Sequence, residues 1–244
     1  MTYCVGLCVD EGLVMLSDTR TNAGLDNIST FSKMFAVEQP GERALVLMTA
    51  GNLAITQAVV NHLQAGVWHN GLQQRLTDVP DMVSAAQLVG AAVRLVQQQD
   101  GAALGAQGLG FDCSLLLGGQ ITGGPPRLFL IYSAGNFIEA TEDTPFLQIG
   151  EHKYGKPILD RVLTPQTSLV MGVALTLISM DSTLRSNLSV GMPLDMAVIR
   201  TGECAIASRR RFTEDDPYYQ TIRNGWSQAL REAYLALPRP EFIP

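Results

Sequence analysis

Apolar residues in this chain gather into runs whose spacing changes along the sequence, and each change marks an element. Tyr3 to Val9 is apolar on both faces, Asp10-Glu11-Gly12 reads as a turn, and Leu13 to Leu16 resumes the run. That pattern predicts a buried antiparallel hairpin. The stretch from Thr21 to Thr30, rich in Asn, Asp, Gly and Thr, reads as a surface loop. A third strand, Met34 to Val37, turns at Pro40-Gly41 into a fourth, Ala44 to Met48. Ile55, Val59, Leu63 and Val67 then recur at i+4 steps, the mark of a helix. Pro80 closes a polar connector, and a second helix is predicted from about Met82 to Gln99, with Ala85, Val89 and Val93 on one face and Leu88, Ala92 and Val96 beside it.

Gly105 to Gly110 is glycine-rich but leads into a predicted strand, Phe111 to Leu117. That order suits neither a dinucleotide fingerprint nor a phosphate loop. Gly118-Gly119 and Gly123-Gly124 read as turns, and Arg127 to Ser133 and Asn136 to Ala140 as the next strand pair. From Pro165 a long helix carries Leu169, Val173 and Leu177 on one row and Val170, Ala174 and Ile178 on the next, a face wide enough for a sheet and a neighbouring subunit. Strands Leu194 to Arg200 and Cys204 to Arg210 follow, then a helix bearing Trp226, Leu230 and Tyr234 that ends before Pro238. Strands in turn-linked groups, separated by helices, predict an α+β sandwich with αββα layering and not a doubly wound parallel sheet. No linker divides residues 1–244, so one domain is expected, with 238–244 as an extended tail able to reach a neighbour.

Composition narrows the partners. Apolar residues at 46% against 16% charged supply a large core and leave little for a fully wetted surface, which points to a homo-oligomer. A net charge of −6 argues against nucleic acid as a partner, and Arg209-Arg210-Arg211 is read as a sheet end or subunit contact. With no signal peptide and no span long enough for a bilayer, the expectation is a cytoplasmic protein without a membrane partner. Cys4, Cys8, Cys113 and Cys204 make no zinc spacing, and His62, His69 and His152 are scattered, so no metal or other cofactor is expected. Cys4 and Cys8 on one strand lie roughly 13 Å apart at about 3.3 Å per residue, too far for a disulfide.

Three residues carry candidate chemistry: Thr2, Asp18 in Ser17-Asp18-Thr19-Arg20, and Lys33 in Phe31-Ser32-Lys33-Met34-Phe35. A hydroxyl needs a base near it, and an N-terminal threonine carries one, because a free α-amino group titrates at about 7.7–8.0. Met1 blocks that amine as an amide, so removal of Met1 is expected. An ammonium beside the hydroxyl favours its alkoxide-like state, and a carboxylate fixes the ammonium. Taken singly, Lys33 and Asp18 fit an ion pair tying two strands together better than a catalytic role; a threonine at the second position moves the balance toward chemistry. Gly51, between a strand and a helix, allows close approach of a ligand to the backbone and aims an N–H at an oxyanion, or serves only as a tight turn.

Thr2, the Ser17-Asp18-Thr19-Arg20 segment, Lys33 and Met48-Thr49-Ala50-Gly51 opening a helix resemble the catalytic pattern of proteasome β subunits, and the likeness extends more loosely over nearly the whole chain. Length, the missing propeptide and Gln148-Ile149-Gly150-Glu151-His152-Lys153-Tyr154-Gly155 are most similar to the bacterial ancestral β-subunit group, Anbu. The resemblance implies a four-layer N-terminal nucleophile hydrolase fold in a ring or spiral. It also implies Gly51 as oxyanion donor, Arg20, Thr49 and Leu53 as substrate-binding residues, the Thr21 to Thr30 stretch as a wall of the cleft, and Ser189 as the serine that holds the terminal amine. Two positions depart from the family. Glu151 stands where a serine is usual, and either raises the pKa of the amine or points to solvent; Ser186 stands where an aspartate is usual, and either contacts the amine or finishes a helix. Asn187-Leu188-Ser189-Val190-Gly191 resembles a nucleophile elbow without its first glycine, but leads into a strand. The expected function is a threonine-type endopeptidase acting on peptides or unfolded protein. A weakly active or inactive ring-forming, peptide-binding scaffold and a small-molecule amidase are the alternatives, and an ATPase partner is left open.

Overall fold

The computed structural model describes residues 1–22 and 28–242. β1 (Tyr3–Val9) and β2 (Gly12–Asp18) form the expected hairpin, in register from Cys4 opposite Ser17 to Val9 opposite Gly12. The polar stretch beyond it contains two short paired strands, β3 (Arg20–Asn22) and β4 (Ile28–Thr30), in place of the expected loop; residues 23–27 of that expectation lie outside the described residues. β5 (Met34–Gln39) and β6 (Arg43–Gly51) lead to α1 (Leu53–Ala65), the small hairpin β7 (Val67–His69) and β8 (Leu72–Gln74), and α2 (Met82–Ala106). Then come β9 (Cys113–Ile121), β10 (Arg127–Ile131), β11 (Phe137–Glu139), β12 (Phe146–Gly150), α3 (Lys156–Val162), α4 (Leu169–Ser186), β13 (Leu194–Arg200), β14 (Ile206–Phe212) and α5 (Pro217–Leu235).

Several boundaries move for identifiable reasons. Gly66, at φ 103°, ends α1 and bonds back to the His62 carbonyl, so Val67 belongs to β7 and not to the helix. α2 runs on through Gly101 and Gly105 to Ala106, beyond the predicted end at Gln99. Gly118-Gly119 is no turn but the interior of β9. A Cβ at 118 would sit 2.7 Å from the Met15 sulfur and one at 119 would sit 2.4 Å from the Ala44 carbonyl oxygen, so glycine there serves close packing. Gly123, at φ 88°, does turn the chain. Ser168 caps α4, which starts at Leu169 and not at Pro165. Cys204 sits at φ 47° in a turn, and β14 begins two residues later.

Two five-stranded sheets result, ordered β12-β1-β2-β13-β14 and β11-β10-β9-β6-β5. Alternation along each strand sends one set of side chains inward between the sheets and the other toward helices. Cys4, Leu13, Met15, Val46, Met48, Leu116 and Leu128 fill the space between sheets. Leu45, Leu47, Leu115 and Leu117 pack on α1 and α2. Val5, Leu7, Val14, Leu16 and Met196 pack with Leu175, Leu177 and Met180 of α4 and Tyr219 of α5. The layers are helices, sheet, sheet, helices, as the αββα expectation holds. The four cysteines are free thiols. Residues 238–242 form an exposed tail, and 243–244 lie outside the described residues.

Candidate active site

Each sheet brings half of the site to the same end of the sandwich. The first contributes Thr2, just ahead of β1, and Asp18, the last residue of β2; the second contributes Lys33, just ahead of β5, and Gly51, the last residue of β6. Lys33 Nζ lies 2.7 Å from Asp18 Oδ1, so an ion pair spans the two sheets. Both partners are buried, Asp18 completely and Lys33 to 4% exposure, which removes the solvent screening that makes surface pairs weak. Lys33 also donates to the Arg20 carbonyl at 2.6 Å, and Asp18 accepts from the N–H groups of Tyr3 (3.1 Å) and Gly191 (3.2 Å). Burial pushes the Asp18 carboxyl above its ordinary range, while the Lys33 ammonium and the two N–H donors pull the other way. Burial also pushes the nearby Cys4 thiol up, so it stays protonated and is no rival nucleophile.

Thr2, Lys33, Gly51, Thr49 and Leu53 line one cavity of about 780 Å³, with Met1 at its edge. Four of the expected substrate and catalytic positions therefore share a wall with the threonine. Arg20 does not. Its guanidinium turns away to donate to the Leu188 carbonyl at 2.9 Å and to cover Gly191, and Thr21 takes its place in the lining. Gly51 adopts φ 108°, and a Cβ there would meet the Asp112 carbonyl oxygen at 2.5 Å, so the position requires glycine. The N–H of Thr49 bonds to Lys33 on the β5 side and that of Asn52 to Asp112 on the β9 side. By that alternation the N–H of Gly51 lies on the β5 side, past the start of that strand at Met34.

Glu151 is buried at 6% exposure and does not point to solvent, which removes one of its two expected states. Its N–H donates to the Thr2 carbonyl at 2.7 Å and its carboxylate accepts from Asn187 Nδ2 at 3.0 Å. Ser189, half-buried, receives the Asn187 side-chain oxygen on its N–H at 2.9 Å. Ser186 is exposed as the last residue of α4 and takes no hydrogen bond to the site among the described residues. Asn52, Thr56, Asp112 and Ser114 also line the cavity and escaped the sequence reading. Asn52 carried a signal, a capping residue before a helix, and its side chain does accept from Ala54 and Ile55 N–H. Asp112 and Ser114 come in only through the pairing of β9 with β6, which no local spacing reveals.

Among the described residues no helix is long and apolar enough to cross a membrane, and no group of three or more His, Cys, Asp or Glu is placed to hold a metal. The proteasome subunit family model matches residues 2–199. An Anbu mutant from Hyphomicrobium sp. strain MC1 superposes with a TM-score of 0.91 at 46% identity, over 99% of this chain and 100% of that one. Anbu from Yersinia bercovieri gives 0.90 at 50% identity, over 98% and 99%. The helical assembly of the Anbu complex from Pseudomonas aeruginosa gives 0.91 at 49% identity, over 98% of each chain. No curated protein matches the chain. With the family model matched over residues 2–199 and whole-length likeness at 46–50% identity, the chain belongs to the proteasome subunit family, in its ancestral β-subunit, or Anbu, group.

Proposed function

We propose that the protein is a threonine-type endopeptidase whose nucleophile is Thr2 after Met1 is removed. The observation that carries this is the inter-sheet Lys33–Asp18 pair, 2.7 Å apart and buried, opening on the cavity that Thr2 and Gly51 line. The Thr2 hydroxyl attacks the substrate carbonyl carbon and passes its proton to its own amine. Lys33, oriented by Asp18, stabilises the developing negative charge on the threonine oxygen, and the Gly51 N–H stabilises the oxyanion. The C–N bond then breaks, the leaving amine takes the proton from the terminal ammonium, and an ester to Thr2 remains. Water, deprotonated by the same amine, attacks that ester and restores the hydroxyl. Ser189 and Glu151, the latter bonded through its N–H to the Thr2 carbonyl, are assigned to hold the amine, and Thr49 and Leu53 to shape the substrate pocket.

A homo-oligomer is part of the proposal. Val170 and Met171 of α4 are 70% and 61% exposed, and a groove of about 430 Å³ beside them is lined by Val162, Leu175, Ile178 and Trp226. Apolar surface of that extent on one helical layer suits a second copy, and one relative is known as a helical assembly. A cytoplasmic location belongs to the same proposal.

An acylating β-lactone tests the chemistry directly. Met1-free protein should gain one acyl mass at Thr2, and Thr2→Ala should gain none. Met1-free protein that stays unlabelled, or labelling that survives Thr2→Ala, would overturn the function and leave a peptide-binding scaffold.

A further inference from the structure

Thr2 and Glu151 meet where β1 and β12 pair. Tyr3 stands opposite Gly150, and the next step outward sets Thr2 against Glu151. The Glu151 N–H donates to the Thr2 carbonyl at 2.7 Å just past the end of the β12 ladder, so the two residues adjoin through their backbones. A carboxylate as buried as this one needs donors. Its close donor is Asn187 Nδ2, at 3.0 Å from Oε2; the Lys153 ammonium is 4.0 Å from Oε1 and 74% exposed.

The other end of the Asn187 amide is occupied too. Its Oδ1 accepts the Ser189 N–H at 2.9 Å, while its backbone N–H closes α4 on the Thr183 carbonyl at 2.9 Å. One side chain, anchored on a helix end, therefore bonds to both Glu151 and Ser189. An amide suits the task because it offers a donor and an acceptor on one rigid plane. Neither a carboxylate nor an alcohol does both here: aspartate lacks the donor for Glu151, and serine is too short to span the two.

Resting on the threonine-hydrolase function above, we propose that Asn187 is a positioning residue for the Thr2 amine: by holding Glu151 through Nδ2 and Ser189 through Oδ1 it keeps an anionic carboxylate at the amino group and raises the pH at which that group becomes a free base. An anion near an ammonium favours the protonated form. The remaining charges around the amine are Lys33 with Asp18 across the cavity, Asp112 on its wall, His152 and Lys153 beyond Glu151, and Arg20 bound to the Leu188 carbonyl. Replacing Asn187 leaves all of these side chains in the sequence, and replacing Glu151 frees only the exposed Lys153 ammonium, so a shift common to both replacements isolates the Glu151–Asn187 couple.

The test reads the amine without needing catalysis. Acetic anhydride is reacted with Met1-free protein across a pH series, and acetylation at the Thr2 amine is followed by mass spectrometry. Glu151→Gln should lower the titration midpoint by about 1 unit. Asn187→Ser, whose hydroxyl still reaches the Ser189 N–H, should lower it by a similar amount, and Asn187→Leu, close in volume, gives a second variant should the first fold poorly. The double variant with Glu151→Gln should show no further shift, because both act through one carboxylate. A midpoint unmoved in both Asn187 variants, or shifts that add in the double variant, would overturn the proposal. β-Lactone labelling of the same samples separates the two levels: an amine that titrates as described beside a hydroxyl that is never acylated defeats the hydrolase and not the role of Asn187.

Discussion

Two buried aspartates, Asp18 and Asp181, are both paired with cations, and the partner of Asp18, Lys33, lines the cavity that Thr2 lines. Asp181 on α4 accepts from Tyr219 Oη at 3.1 Å and Arg185 Nε at 2.9 Å, with Arg223 Nε at 3.5 Å, and so ties α4 to α5. Its arginines are 50% and 33% exposed, and water shares their charge. Asp18 instead meets a lysine that is itself buried and that lines the same cavity as Thr2, and it joins two sheets in place of two helices. Burial and pairing alone do not tell the two apart. What separates the two is whether the paired cation also faces space that a substrate can enter.

The sharpest way to break that contrast is to remove the cation from Asp18. Lys33→Met should lower Thr2 acylation by about 10²-fold or more. It should also cost about 3–5 kcal/mol near neutral pH, because an unpaired carboxylate is left buried. The variant has one escape. Burial already pushes the Asp18 carboxyl upward, so the folded variant holds a proton in a window where the unfolded chain has released it. Between the ordinary carboxylate range and that raised value its stability should fall as pH rises. Denaturant titrations at pH 5 and pH 7.5 check this, and a variant equally stable at both would refute it.

Gly51→Ala tests the second sheet's contribution. A methyl at φ 108° and 2.5 Å from the Asp112 carbonyl forces the turn to shift. A loss of about 10-fold to 100-fold in acylation is expected, with a stability cost of about 1–3 kcal/mol. Asp181→Asn should produce the smallest effect on function. It removes charge from a helix–helix tie whose arginines remain hydrated, so about 1–2 kcal/mol of stability is lost while the acylation rate is unchanged. If acylation also fell, the separation between the two aspartates would be wrong.

Much of this architecture was legible along the chain because its determinants are local. Alternating and i+4 apolar positions placed the first hairpin, both outer helices and β13, and the end-to-end pairing of β1 with β2 brought Asp18 near Thr2 without knowledge of the rest. Failures occurred where a residue's role depends on a distant partner. Gly118 and Gly119 carry a turn composition, but Met15 and Ala44 press on them from other strands. Arg20 closely follows Asp18 in the chain, yet the Leu188 carbonyl, far along the chain, draws its guanidinium off. Glu151 is charged and sits after a glycine, a surface pattern; its burial is met by the distant Asn187 amide at 3.0 Å, with the Lys153 ammonium at 4.0 Å. Asp112 and Ser114 join the cavity through strand pairing alone.

The Met15 thioether has a consequence far from its own surroundings. Its sulfur would touch a Cβ at Gly6 within its own sheet and at Gly118 in the facing one, at 2.9 and 2.7 Å. It is thus one of the side chains that hold the two layers apart. Thr2 rides on one layer and Gly51 on the other, so the gap between the Thr2 hydroxyl and the Gly51 N–H depends in part on a methionine deep in the core. A single methyl added at Gly118 would press on that sulfur and displace the two groups relative to each other without touching either.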